Sequence, residues 1–349
     1  MVKITKLETF LIKPRRVFLK IHTDACVVGS GEPLLEGRAQ TIQTAIKETE
    51  PYLIGKDPRA VTHHWQAIYR HSFHIGGSRD LSGIDHALWA IKGKLLNVPV
   101  YELLGEPTRD RVRTYGRAST PEQMKQKGAE GHTVIKTGVA KERPARVVEN
   151  PTFIKYAVEN FAALRETGGD TMDIGIDSYR NISPQTAKIL IKEPVSYQPM
   201  FIEEPFQTQN VDVLADIARS TYLPIATGER IFTKWGFREI LEKRAAIILH
   251  PDMCHAGGIS EIKVIAGMAE AYCAQIAHHN AMGPISLAIG LQLAASIPNF
   301  LVQEQVSLGE GYLKTPFKLG KDGHVMIPTA LGLGIELDEN QLSDKLDHD

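Results

Sequence analysis

DIGID (173–177), MFIEE (200–204), PIATGE (224–229), AIILHPD (246–252), AQIAHH (274–279) and FLVQE (300–304) decide the architecture of this chain. Each is a short apolar run that closes on a carboxylate or a histidine. The closing residues Asp177, Glu203, Glu229, Asp252, His279 and Glu304 recur every 23 to 27 residues. A strand, a loop and a crossover helix fill such an interval, so the pattern reads as consecutive βα units. Short β-rich runs apolar on both faces belong in a parallel sheet covered by helices, an α/β fold. If the sheet closes into a barrel, every strand end opens on one face, where active sites sit. Polar residues distant in sequence then meet in one cavity.

Working outward, VRTYGRA (112–118) and HTVIKTG (132–138) supply two earlier strands, with STPEQMKQKGAE between them as a helix. FIKYAVENFAALRETGG leads by helix into the run at Asp177, which brings the count to eight strands. The segment KERPARVVEN (141–150) reads as a solvated loop. Residues 1–110 have another character: KITKLETFLI, VFLKIHT and CVVGSGEP are β-rich, and helical spacing follows, with Gly55 as a stop and Gly76–Gly77 as a break. We therefore expect an α+β capping domain over 1–110, a barrel over 111–310, and a segment 311–349 that returns to the cap.

Composition narrows the functional classes. The 349 residues are 43% apolar and 23% charged, as in ordinary globular proteins. A formal net charge of −1 gives no electrostatic case for nucleic acid or an anionic membrane. No apolar stretch is long enough to span a bilayer. Cys26, Cys254 and Cys273 lack metal-type spacing and read as reduced core or near-core residues, which points to the cytoplasm.

Three carboxylates at successive strand ends, Asp177, Glu203 and Glu229, repel one another and resist desolvation unless a cation joins them. All-oxygen ligation selects a hard ion such as Mg²⁺. Asp252 and His279, at neighbouring strand ends, form a candidate carboxylate–imidazole dyad, hence a positioned general base; His278 reads as structural. Glu304 either supports a developing enolate, provided its pKa is raised, or pairs with a barrel lysine or arginine. Lys136 is either an electrophile beside a substrate carboxylate or a salt-bridge partner. Tyr179 is either a hydroxyl donor or packing.

The set Asp177, FIEEP (201–205), ATGER (226–230), HPDMCHAGGISE (250–261), AHHNAMGP (277–284) and VQEQ (302–305) resembles the mandelate racemase branch of the enolase superfamily, and within it the D-galactonate dehydratases. The resemblance covers nearly the whole chain, including YLIGKDP, GIDHALWAIKGKLLNVPVYELLG and GLGIELDE. It implies a modified (β/α)₇β barrel under an α+β cap, and Mg²⁺ on Asp177, Glu203 and Glu229. It implies that His279, oriented by Asp252, takes the proton α to the carboxylate of a sugar acid. Loss of the β-hydroxyl then gives a 2-keto-3-deoxy acid. It also implies a homo-oligomer with a small-molecule substrate.

Several positions depart from the family pattern. Tyr179 stands where those dehydratases carry a second histidine, and Gly138 stands where racemases carry a second lysine. Ser30 and Ala90 replace a tryptophan and an aspartate, and the segment after Gly77 is short. An epimerase or cycloisomerase acting on a related acid, or a catalytically silent metal-binding paralogue, therefore remain as alternatives.

Overall fold

The computed structural model describes residues 1–71, 79–139, 151–180, 182–343 and 345–346. The expected break at Gly76–Gly77 and the expected loop at 141–150 lie outside these residues.

The N-terminal region is a three-stranded antiparallel sheet, β1 (Ile4–Ile12), β2 (Arg16–Thr23) and β3 (Val28–Gly31), in the order β1-β2-β3. Four helices follow: α1 (Ala39–Leu53), α2 (Val61–His71), α3 (Arg79–Leu95) and α4 (Val100–Leu104). Helix α1 buries Ile42, Ile46 and Leu53, and the chain leaves it through Gly55 at φ +80°. Helix α3 is buried over most of its length, between this sheet and the larger body of the molecule.

That body is a barrel. Strand β4 (Arg111–Arg117) leads to α5 (Pro121–Glu130), β5 (Val134–Gly138) to α6 (Pro151–Gly168), and β6 (Asp173–Asp177) to α7 (Pro184–Lys192). Then come β7 (Phe201–Glu203), α8 (Val211–Arg219), β8 (Ile225–Thr227), α9 (Thr233–Glu242), β9 (Ile248–Leu249), α10 (Gly258–Ala271), β10 (Gln275–Ile276), α11 (Pro284–Ser296) and β11 (Gln303–Glu304). These eight strands are parallel, in the order β10-β9-β8-β7-β6-β5-β4-β11. A parallel bridge between Ile276 and Phe300, with Leu301 N–H donating to the Ile276 carbonyl at 2.8 Å, joins the two ends. Seven strands carry a helix and the eighth does not, so the fold is a modified (β/α)₇β barrel with an α+β cap.

Local sequence starts the helices where they are needed. Thr120, Ser183 and Asn210 cap α5, α7 and α8 by accepting the N–H groups of Gln123, Thr186 and Val213, and Pro121 and Pro184 open the first two. The barrel interior is plugged by Tyr115, Val134, Phe201, Ala226, Ile248, Ala277 and Val302. Gly175 is needed there: a Cβ would lie 2.4 Å from the Phe201 ring. After β11 the chain adds β12 (His324–Met326) antiparallel to β4 and then α12 (Glu339–Ser343). Glu339 pairs with Lys20 of β2, and Leu346 bridges Ile12 of β1.

The cap meets the barrel through acids placed at helix N-termini, where free N–H groups find acceptors. Glu32, just past β3, accepts from Gly283 N–H at 2.7 Å and Ser286 N–H at 3.0 Å at the start of α11. Asp85 of α3 accepts from Ser260 N–H at 3.1 Å and Ser260 Oγ–H at 2.5 Å at the start of α10. Trp65 Nε1–H donates to the Gly257 carbonyl at 2.7 Å, and the His86 ring meets the Met253 carbonyl at 2.9 Å.

One expectation is corrected here. Cys254 is buried, but Cys26 and Cys273 are exposed, at turn positions with φ +58° and +57°. Apolar spacing does not distinguish a core cysteine from one that ends a strand or helix.

Candidate active site

Hydrogen-bond register sets the geometry of the site. Asp177 and Glu203 are direct partners across β6 and β7, so their side chains leave the same rim side by side. Glu229 lies two residues past the end of β8. Asp252 and His279 lie past β9 and β10 and form an isolated parallel bridge with each other. That bridge brings the Asp252 carboxylate to within 2.6 Å of His279 Nδ1. The other ring nitrogen, Nε2, faces Glu229 at 3.2 Å and Glu304 at 3.6 Å.

Beneath this pair is a buried layer of charge. Lys136, at 2% exposure, places its Nζ 2.8 Å from Glu203, 3.0 Å from Glu304 and 3.9 Å from Asp177. Its lower neighbour is the Tyr115 ring, 5.3 Å away. Arg117 donates to Asp177 at 3.1 Å, and Arg180 pairs with Glu229. Glu204, with φ +44°, accepts from Thr227 Oγ1–H at 2.6 Å and Gly228 N–H at 3.2 Å.

Protonation follows from this crowding. Burial, then the charge of Glu203, pushes Asp177 up to about 7. Burial, then Glu229, pushes Glu204 up to about 8. For Glu203 burial acts upward but is outweighed by Lys136 and His250, so its pKa falls. Burial also acts to lower the His279 pKa, but Glu304, Asp252 and Glu229 together hold it well above the ordinary imidazole value. His278 is fully buried against Gln303 at 3.1 Å, and burial drives it down to about 3.

The expected residues therefore fall into two levels. Glu229 and His279 line an open cavity of ≈ 390 Å³, together with Leu35, Glu36 and Arg79 from the cap side and His255 from the barrel. Asp177, Glu203, Glu304 and Lys136 form the buried layer, and Asp252 stands behind His279. Hollows of ≈ 680 and ≈ 710 Å³ elsewhere contain neither His279 nor any of the three carboxylates. Tyr179 does not line the cavity; its ring lies against Gly138 and Arg117. Of the two readings of Glu304, pairing with a lysine is the one the geometry shows: Lys136 and His279 hold its carboxyl below the usual range despite burial. Lys136 is correspondingly a salt-bridge partner.

The three oxygen donors suit a hard divalent cation, and the rise at Asp177 shows negative charge that such an ion would neutralise. Among the described residues, however, no three acids or histidines already converge into a metal cage. Lys136, Arg117 and Arg180 occupy the carboxylates instead.

Arg117, Glu204, His250 and Arg180 were missed by the sequence reading. Arg117 was findable: Arg113, Tyr115 and Arg117 alternate on one face of VRTYGRA, the face that carries Tyr115 into the barrel plug. His250 sits in HPD, with Nδ1 3.5 Å from Glu203 and its ring 5.2 Å from Phe201; nothing local marked it.

Comparison with known proteins decides the family. The description "Enolase C-terminal domain-like" matches residues 119–341, and "Mandelate racemase / muconate lactonizing enzyme, N-terminal domain" matches residues 8–105. The chain belongs to the mandelate racemase/muconate lactonizing enzyme family of the enolase superfamily. Within that family it is 41% identical to the D-galactonate dehydratase of Ralstonia nicotianae, over 97% of this chain and 93% of that protein. A solved mandelate racemase/muconate lactonizing enzyme from Jannaschia sp. CCS1 superposes with a TM-score of 0.93 at 27% identity, covering 99% of this chain and 98% of that one. An enolase from Agrobacterium radiobacter, solved with Na and L-malate bound and an ordered active site, superposes with a TM-score of 0.92 at 28% identity, covering 99% and 95%.

Proposed function

We propose that the protein is a hydro-lyase, a Mg²⁺-dependent dehydratase of a small sugar acid. The carrying observation is the His279–Asp252 dyad, whose second nitrogen, Nε2, lies 3.2 Å from Glu229 in the cavity wall. Likeness to a D-galactonate dehydratase along nearly the full chain supports the same reading.

In this reading His279 Nε2 removes the proton α to the substrate carboxylate, once Glu229 is engaged by the cation it would hold and no longer helps to keep the ring protonated. Asp252 holds Nδ1–H and so fixes the tautomer and the ring plane. Glu304 and Lys136 keep a compensated charge layer under the reacting carbon. Departure of the β-hydroxyl as water leaves an enol that becomes the 2-keto-3-deoxy acid; Tyr179, packed outside the cavity lining, would have to turn toward the substrate to supply the proton for that step. Asp177, Glu203 and Glu229 would hold Mg²⁺, which supplies Lewis-acid stabilisation of the charge that builds on the substrate carboxylate. We place the enzyme in the cytoplasm, as a homo-oligomer; no described helix is long and apolar enough to cross a membrane.

The test is a screen of purified protein with Mg²⁺ against hexonates, pentonates and aldarates in D₂O. Semicarbazide reads 2-keto acid and NMR reads the C2 proton. Keto-acid formation is expected. Exchange without elimination would instead indicate an epimerase. A second reading has its own observation: Lys136, Arg117 and Arg180 already neutralise the carboxylates, as in a binding protein that performs no chemistry. Silence in both readouts would select it.

A further inference from the structure

Arg79, the first residue of α3, stands in the same cavity wall as Glu229 and His279. It differs from the cations of the charge layer, and from Arg230 in the same wall, which donates to Gln207 Oε1 at 3.1 Å. Lys136, Arg117 and Arg180 each carry a carboxylate, whereas no described carboxylate lies within ion-pairing distance of Arg79. Its Nε is buried and has no hydrogen-bond partner. The guanidinium lies 4.7 Å from the Phe232 ring, a contact that fixes the plane of the group. Glu36, the cap carboxylate in this cavity, is already engaged by Arg15 at 3.2 Å.

A guanidinium cannot lose its proton to relieve burial, so an unpaired one costs stability unless a ligand supplies the anion. The cavity of ≈ 390 Å³ is of a size to take a small acid. In the proposed reaction one end of such a ligand meets the catalytic dyad, with its carboxylate on the side where Asp177, Glu203 and Glu229 would hold Mg²⁺. Arg79, on the cap side of the same cavity, is then left for the other end of the ligand. An aldonate ends in a neutral hydroxymethyl group, which would leave the fork of Arg79 half used. A terminal carboxylate or phosphate would satisfy it bidentately.

We infer that Arg79 is a specificity-determining residue that binds a second anionic group at the far end of the substrate, so that the preferred substrate is a dianionic sugar acid. This inference rests on the sugar-acid dehydratase reading for its substrate class. It adds the requirement for a second charge.

The experiment compares kcat/KM for six-carbon aldarates, terminally phosphorylated aldonates and plain aldonates, in the wild type, Arg79→Gln and Arg79→Lys. The dianionic acids are expected to exceed the aldonates by about 100-fold, the worth of a charged bidentate contact. Whether the aldarates or the phosphorylated aldonates lead identifies the anion. Arg79→Gln should collapse that ratio and Arg79→Lys should restore part of it. An aldonate as the best substrate, or a ratio unmoved in Arg79→Gln, overturns the inference. Calorimetry with adipate against hexanoate, neither of which can be dehydrated, keeps the two readings separate. Adipate preferred by the wild type and not by Arg79→Gln, in a protein that turns over no acid, would uphold the role of Arg79 and reject the dehydratase. Equal binding of the two acids in the wild type counts against Arg79 whatever the turnover.

Discussion

The ring of Tyr179 occupies the space that a side chain at Gly138 would need. A Cβ at Gly138 would lie 2.5 Å from Tyr179 Cε2 and 2.6 Å from its hydroxyl oxygen. The departures from the family pattern at positions 138 and 179 are therefore in direct contact. The strand end that lacks a second lysine is the one against which the tyrosine packs. Tyr179 holds φ +52°, and its N–H donates to Asp177 Oδ1 at 2.8 Å, so the turn after β6 is built to present this ring.

Gly138→Ala should displace that ring, since the atoms it meets belong to a rigid aromatic group. Tyr179→Phe should remove the hydroxyl alone. If Tyr179 assists the leaving group, the phenylalanine variant loses about 10²-fold or more in keto-acid formation yet keeps exchange of the C2 proton in D₂O. Equal loss of both rates would assign Tyr179 to packing.

His279→Asn should abolish C2-proton exchange. Asp252→Asn should lower it by about 10²- to 10⁴-fold, because the imidazole loses the partner that fixes its tautomer. Rates are read by NMR in D₂O, with circular dichroism to confirm folding. Normal exchange by the His279 variant would remove it from the mechanism.

Mg²⁺ should raise the Tm of the wild type, by an amount that grows with its concentration as for any ligand of the native state alone. Glu203→Gln should lose most of that rise. Lys136→Met should destabilise the protein by about 3–5 kcal/mol in urea unfolding, since Glu203 and Glu304 would stay buried without their shared cation. A Tm indifferent to Mg²⁺ would contradict the metal assignment.

Stability should fall as pH rises toward neutrality through Glu32. Burial raises its folded-state pKa from 4.5 to about 7, so the folded chain binds this proton more tightly than the unfolded chain. The resulting stabilisation is fully present below pH 4.5 and lost as pH passes 7, a swing on the order of 3 kcal/mol. Asp85, likewise raised to about 7 by burial, acts in the same direction. His86, lowered by burial to about 4, acts oppositely and loses stability as pH falls from 6.5 through 4. Thermal melts from pH 4 to 8 should show a slope reduced in Glu32→Gln relative to wild type. An unchanged slope would mean that Glu32 does not titrate in this window.

The barrel was legible in the sequence because each βα unit is local. Apolar runs, caps such as Thr120 and Ser183, and polar residues that close each run all lie within one repeat. The residues Asp177, Glu203, Glu229, Asp252, His279 and Glu304 stood out for that reason, and parallel register brings the first two of them side by side. What lay outside reach depended on contacts between distant segments. Whether Glu304 acts as an acid or pairs with Lys136 is set by the position of Nζ at the barrel centre, which no pattern encodes. Arg79 meets Phe232, and Glu32 meets Gly283, only because the cap settles on the barrel. Burial and charge at these junctions are summed over groups far apart in the chain. Sequence alone thus determined the repeating architecture and the chemistry offered at each strand end. Tertiary structure alone decided which charges pair, which are left over, and which face the cavity, because those properties belong to the packing between units.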